Sequence, residues 1–125
     1  MPAMQPRVLF VLFADDVCRQ LHAFLYVNDL HRKGYEARLI VEGMATRLLA
    51  DLDQAPPRLQ QAVADAKAAG LIAGACQQAS TGCGSPADRH IVAAIQAQGV
   101  GFLSDLENHA GIEPFLREGY QVIAI

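Results

Sequence analysis

Cysteine is scarce in this chain of 125 residues: Cys18, Cys76 and Cys83 are an odd and small set. Three thiols cannot form the disulfide scaffold of a small secreted domain, so any cysteine chemistry is that of free thiols or transient redox. Long apolar runs are also missing. The strongest near the start, Val8–Ala14, has seven residues, where a membrane span needs about 20. Asp15 and Asp16 follow it directly, and no small-x-small cleavage site is present, which argues against a signal peptide. Positive charge is not in excess: 10 Lys and Arg stand against 13 Asp and Glu, for a formal net charge of −3. That balance holds no general attraction for nucleic-acid phosphates, and no basic run suits an anionic membrane. The expectation is a soluble, cytoplasmic protein with neither nucleic acid nor membrane as partner.

What is present is apolar: 52% of residues are hydrophobic and 18% charged, which excludes intrinsic disorder and fibrous repeats. A length of 125 residues is one ordinary domain, 1–125, able to bury about two-thirds of its unfolded surface. β-rich runs alternate with helical ones. Strands are predicted over 7–14, 35–42, 71–75, 99–103 and 120–125. Helices are predicted over 16–33, 44–51, 57–69 and 87–98, with another opening at the capping-box pattern Ser104-Asp105-Leu106-Glu107 and ending by Gly119. Asp15 or Asp16 is placed to cap the first helix. The segment 76–86 reads as a polar loop. This alternation predicts an α/β three-layer, flavodoxin-like domain with a mostly parallel five-stranded sheet, its first strand central and its site at the carboxyl ends of the strands.

The strand ends exclude several chemistries. The first loop, 14–18, contains no glycine and therefore no dinucleotide or flavin phosphate cradle, and no P-loop pattern occurs. No cofactor is expected. Asp15 and Asp16 resemble the Mg²⁺-holding acidic pair of receiver domains. The third strand, however, ends in Ala75-Cys76 without an acceptor aspartate, so helix capping is the simpler role. Cys76 lies at the carboxyl edge, where turn N–H groups lower a thiol pKa and the thiolate is the nucleophile. Cys83 sits seven residues on, in a glycine-flanked turn, as its helper. Both also suit small inert core positions, and their spacing does not match a zinc pair. Cys18 reads as a packing residue. His22 and His31 are nine apart and form no ligand pair, and His90 reads as an exposed helical residue. Asp15, Gln77, Thr81 and His109 are the expected site-lining residues, and no serine-type triad has its spacing here.

Several segments together resemble the DsrE/DsrF-like family of small sulfur-relay proteins. They are Lys33-Gly34-Tyr35-Glu36 after the long first helix, Val41-Glu42-Gly43 at the second strand end, Cys76 directly after the third strand, and the ending GVGFLSDLENHAGIEPFLREGYQVIAI. The resemblance spans nearly the whole chain. It implies a flavodoxin-like fold, homo-oligomers (trimers or hexamers), and a cysteine, here Cys76, that accepts sulfane sulfur as a persulfide and passes it to a partner. The chain departs from members with a closely spaced second cysteine: Ala79 stands three residues after Cys76, and the next cysteine is Cys83. The alternative from a different class is a non-catalytic ligand- or protein-binding module of the same fold.

Overall fold

A computed structural model describes residues 6–81 and 90–125. Five strands, β1 (Arg7–Leu12), β2 (Glu36–Val41), β3 (Ile72–Cys76), β4 (Phe102–Leu103) and β5 (Gln121–Ala124), form one sheet in the order β4-β3-β2-β1-β5. Every pairing is parallel. The helices are α1 (Val17–Arg32), α2 (Thr46–Ala50), α3 (Pro57–Ala68), α4 (Gln77–Ser80), α5 (His90–Ala97) and α6 (Glu113–Arg117). The layering is the expected flavodoxin-like α/β arrangement. The strand order corrects one expectation: β2, not β1, is central.

That order decides where the helices lie. From β1 to β4 the chain moves steadily toward one edge, so right-handed crossovers deposit their helices on the same face. Phe24 and Val27 of α1, Leu49 of α2, Val63 of α3 and Ile95 of α5 accordingly share one core with Phe10, Leu12, Leu39 and Val41. The connection from β4 to β5 runs back across the whole sheet, and the same handedness puts it on the opposite face. There Phe115 and Tyr120 cover Leu9, Val11 and Ile40. The second face therefore has a thin cover made by residues 104–120, a segment of loops and one short helix.

Local chemistry explains the helix limits. Asp16 is the N-cap of α1, its carboxylate accepting the Arg19 N–H at 2.9 Å. Pro57 opens α3 at its first turn, where a missing N–H costs nothing. Inside the first core, Asn28 is buried and donates from Nδ2 to the Ala62 carbonyl at 3.0 Å, tying α1 to α3.

Two expectations fail near the carboxyl edge. The predicted loop after strand three begins instead as α4, one helical turn. The capping-box helix at Ser104 does not form. Leu106 and His109 exchange backbone hydrogen bonds of 2.9 and 2.7 Å across a tight turn, with Glu107 at φ 48° and Asn108 at φ 69°. Positive φ at both central residues is the geometry of a type I′ turn, and asparagine tolerates it well. Asp105 does not cap a helix. Its Oδ1 accepts the Gly111 N–H at 3.0 Å. A Cβ at Gly111 would meet Asp105 Oδ2 at 2.4 Å, so the closure depends on glycine.

Candidate functional site

Three side chains meet at the carboxyl edge on the thinly covered face. Cys76 ends β3, Glu42 follows the central strand β2, and His109 leaves the tight turn of residues 106–109. The Cys76 sulfur, a His109 ring nitrogen and a Glu42 carboxylate oxygen all lie within 4.8 Å of one another. Among the described residues, Asp15 and Asp16 join no comparable group.

A bulge in β3 brings Cys76 to this face. Ile72 packs into the first core and Ala73 into the second, as the alternation of a strand demands. Ala75 then belongs to the first core again. One residue has been inserted, and the pairing records it: Leu39 opposes Ile72, but Ile40 opposes Gly74. A one-residue slip moves every later side chain to the other face. Without it Cys76 would point into the first core. Gly74 makes the slip possible, because a Cβ there would lie 2.8 Å from Leu103 Cγ and 3.1 Å from the Gly101 carbonyl. Glycine inside the short strand 71–75 was the signal for this in the sequence, since an interior strand glycine marks a bulge.

The loop of residues 104–111 is then fastened over the sulfur. Gln78 N–H donates to the Asn108 carbonyl at 2.8 Å, and the Ala110 N–H donates to Cys76 Sγ at 3.4 Å. His109 Nδ1 sits 3.6 Å from the same sulfur. Cys76 has no exposed surface while His109 is exposed, so the thiol lies one side chain below the solvent. Glu42 is held in turn by the Gly43 N–H at 2.9 Å.

The electrostatics differ from the expectation of an ionised thiol in positive potential. Burial pushes the Cys76 thiol pKa up, and the Glu42 carboxylate, which accepts its hydrogen bond, adds to the rise. The backbone N–H groups of Ala79 and Ala110 act in the opposite direction and do not prevail. The resting sulfur is a protonated thiol with a carboxylate on one side, an imidazole within reach, and two amides placed to hold a negative charge on it.

The expected lining residues divide. His109 lies beside Cys76 and Glu42. Gln77 opens α4 and is exposed, and Thr81 caps the end of α4, half-buried, its hydroxyl donating to the Gln78 carbonyl at 2.7 Å. Asp15 lies elsewhere: it lines a separate cavity of about 250 Å³ with Gln20, Met44 and Asp51. Cys83 lies outside the described residues. Cys18 is not a packing residue but exposed on α1. Its carbonyl accepts from His22 Nδ1 at 2.7 Å, with the Cys18 sulfur 3.8 Å from that nitrogen. His90 faces Asp51 at 3.5 Å on the outside of the helical layer. Sequence reasoning passed over Glu42 as a site residue. Its position directly before Gly43 at a strand's carboxyl end was the available signal.

No family model matches the chain, and no solved structure matches it. Over 43 residues the chain is 51% identical to an uncharacterized protein of Archaeoglobus fulgidus, an alignment that covers 34% of this chain and 70% of that protein. The chain belongs to the same family as this archaeal protein.

Proposed function

We propose that the protein is a cysteine-based sulfur carrier in which Cys76 accepts sulfane sulfur as a persulfide and hands it on. The observation that carries this reading is the pairing of the Cys76 sulfur with His109 Nδ1 at 3.6 Å under the Ala110 N–H. A thiol next to a base, with donors aimed at the sulfur, is the arrangement that activates a cysteine nucleophile. The resemblance to sulfur-relay proteins supports the same assignment.

The step balances without an oxidant. The Cys76 thiol gives its proton to His109, and the sulfur attacks the terminal sulfur of a donor persulfide, R–S–SH. A new S–S bond forms on Cys76 as the donor's S–S bond breaks. The bonding electrons leave with the donor thiolate, which takes up the proton. Delivery to an acceptor is the reverse with a different thiol. Burial keeps the resting thiol protonated and shields it from oxidation, and the amides of Ala79 and Ala110 hold the charge when it forms.

Incubation with a low-molecular-weight persulfide is expected to add one sulfur atom to the Cys76 peptide, seen by mass spectrometry and removed by a reductant. Absence of that adduct in Cys76→Ser supports the reading. An unmodified Cys76 in the folded native chain overturns it.

Assembly of like subunits, a trimer or hexamer, belongs to the same reading. Its support is that Phe13, Val17, Tyr26 and Ile123 are each 45–49% exposed. Light scattering on the eluting protein is expected to give a mass three or six times that of the chain, and a monomer at micromolar concentration excludes it.

A further inference from the structure

We infer that Glu42, Cys76 and His109 form a binding site for a divalent cation of the zinc class, a proposal that uses the site described above but does not depend on sulfur transfer. The three donors are one carboxylate oxygen, one sulfur and one imidazole nitrogen, all within 4.8 Å of one another. A thiolate with an imidazole selects a borderline-soft ion and disfavours magnesium and calcium, which take oxygen ligands.

The spacing fits. Zinc holds sulfur at about 2.3 Å and nitrogen at about 2.0–2.1 Å, so at a tetrahedral angle the two donor atoms stand about 3.6 Å apart. Cys76 Sγ and His109 Nδ1 are already 3.6 Å apart. The donors come from three separate parts of the chain: the end of β2, the end of β3 and the tight turn. Each is also oriented by a second partner. The Gly43 N–H holds the Glu42 carboxylate, the Ala110 N–H donates to the sulfur, and the Leu106–His109 backbone pair fixes the imidazole's turn.

Charge and access agree with the geometry. Thiolate and carboxylate together carry two negative charges, which a divalent ion neutralises. Binding releases the thiol proton of Cys76 to solvent while forming the metal–sulfur bond. Cys76 and Glu42 are buried and His109 is exposed. Three protein ligands with an open side toward water leave a fourth position for solvent or a small ligand. Occupation of the site ties up the Cys76 sulfur, so the cation and sulfane sulfur compete for one atom.

The test is titration of the reduced full-length chain with Co²⁺ alone, followed by displacement with Zn²⁺ alone. The expected result is one Co²⁺ per chain, with a thiolate-to-cobalt charge-transfer band, visible bands of a four- or five-coordinate ion, and loss of both on adding Zn²⁺. His109→Ala removes an exposed side chain and keeps the turn's backbone bonds, so it should fold. It is expected to weaken binding by more than about 10-fold, the smallest loss that an outer partner of a ligand alone would cause. Glu42→Gln should weaken it comparably, Cys76→Ser should abolish the charge-transfer band, and Cys18→Ser should leave it unchanged. No band at millimolar Co²⁺, or a band unaltered in His109→Ala, overturns the site. The two proposals fail separately. Persulfide loading of chelator-treated protein that never binds Co²⁺ sinks this one. Co²⁺ binding in a chain that takes no sulfur sinks the carrier instead.

Discussion

Replacing His109 with alanine is expected to slow persulfide loading of Cys76 by about 10²-fold or more, the usual contribution of a positioned acid–base group. The thiol is protonated at rest, so a base must take its proton as the sulfur attacks. His109 Nδ1 at 3.6 Å is placed to do this, and its exposed ring would pass the proton on to the departing donor thiolate. The backbone of residue 109 supplies both bonds of the tight turn, and these do not depend on the side chain. The Ala110 N–H therefore stays over the sulfur, and loss of rate reports loss of the imidazole. Stopped-flow loading followed by mass spectrometry of the Cys76 peptide measures it. A rate equal to that of the native chain would leave His109 without a catalytic role.

The second large effect concerns Glu42. Its carboxylate is a reason, after burial, why the Cys76 thiol sits above its ordinary value of 9.0. Glu42→Gln removes the charge and keeps the shape, so the thiolate loses an adjacent anion and becomes easier to form. Alkylation of Cys76 by iodoacetamide, followed peptide by peptide against pH, is expected to have a midpoint above 9.0 in the native chain and a lower one in Glu42→Gln. Near neutrality, each unit of that fall raises the thiolate fraction, and with it the rate, about tenfold. The same shift bears on stability. A folded-state pKa raised above the unfolded value contributes fully below 9.0 and is lost as pH rises from there through the folded value, because the unfolded chain gives up its proton first. The variant should lose less stability across that alkaline range. A midpoint that does not move, or that moves upward, would show that Glu42 does not act on the sulfur.

The two proposals, zinc-class binding and sulfur loading, would make opposite use of these residues. Glu42 opposes the bare thiolate but assists a bound cation. Glu42→Gln should therefore raise alkylation while lowering Co²⁺ affinity, a pair of opposite signs that a merely structural role for Glu42 would not produce.

Much of the architecture was legible locally. A continuous apolar run marked β1, runs set off by glycine marked β2 and β3, Asp16 announced the start of α1, and Cys76 fell at a strand's carboxyl end by simple counting. The run 104–107 misled for an equally local reason. Its capping-box pattern is genuine, but Asp105 bonds Gly111 and Asn108 bonds Gln78, and these tertiary partners outweigh one turn of helix.

Composition and periodicity alone determined the α/β class and the alternating elements, and they agree with the finding that, among the described residues, no helix is long and apolar enough to cross a membrane. Tertiary structure decided the strand order, the face on which Cys76 emerges and the company it keeps. Cys76 and His109 are 33 positions apart, while the local rules reach only four or five. The bulge at Gly74 reverses the outlook of a single residue, and only the pairing of β3 with its neighbour reveals it.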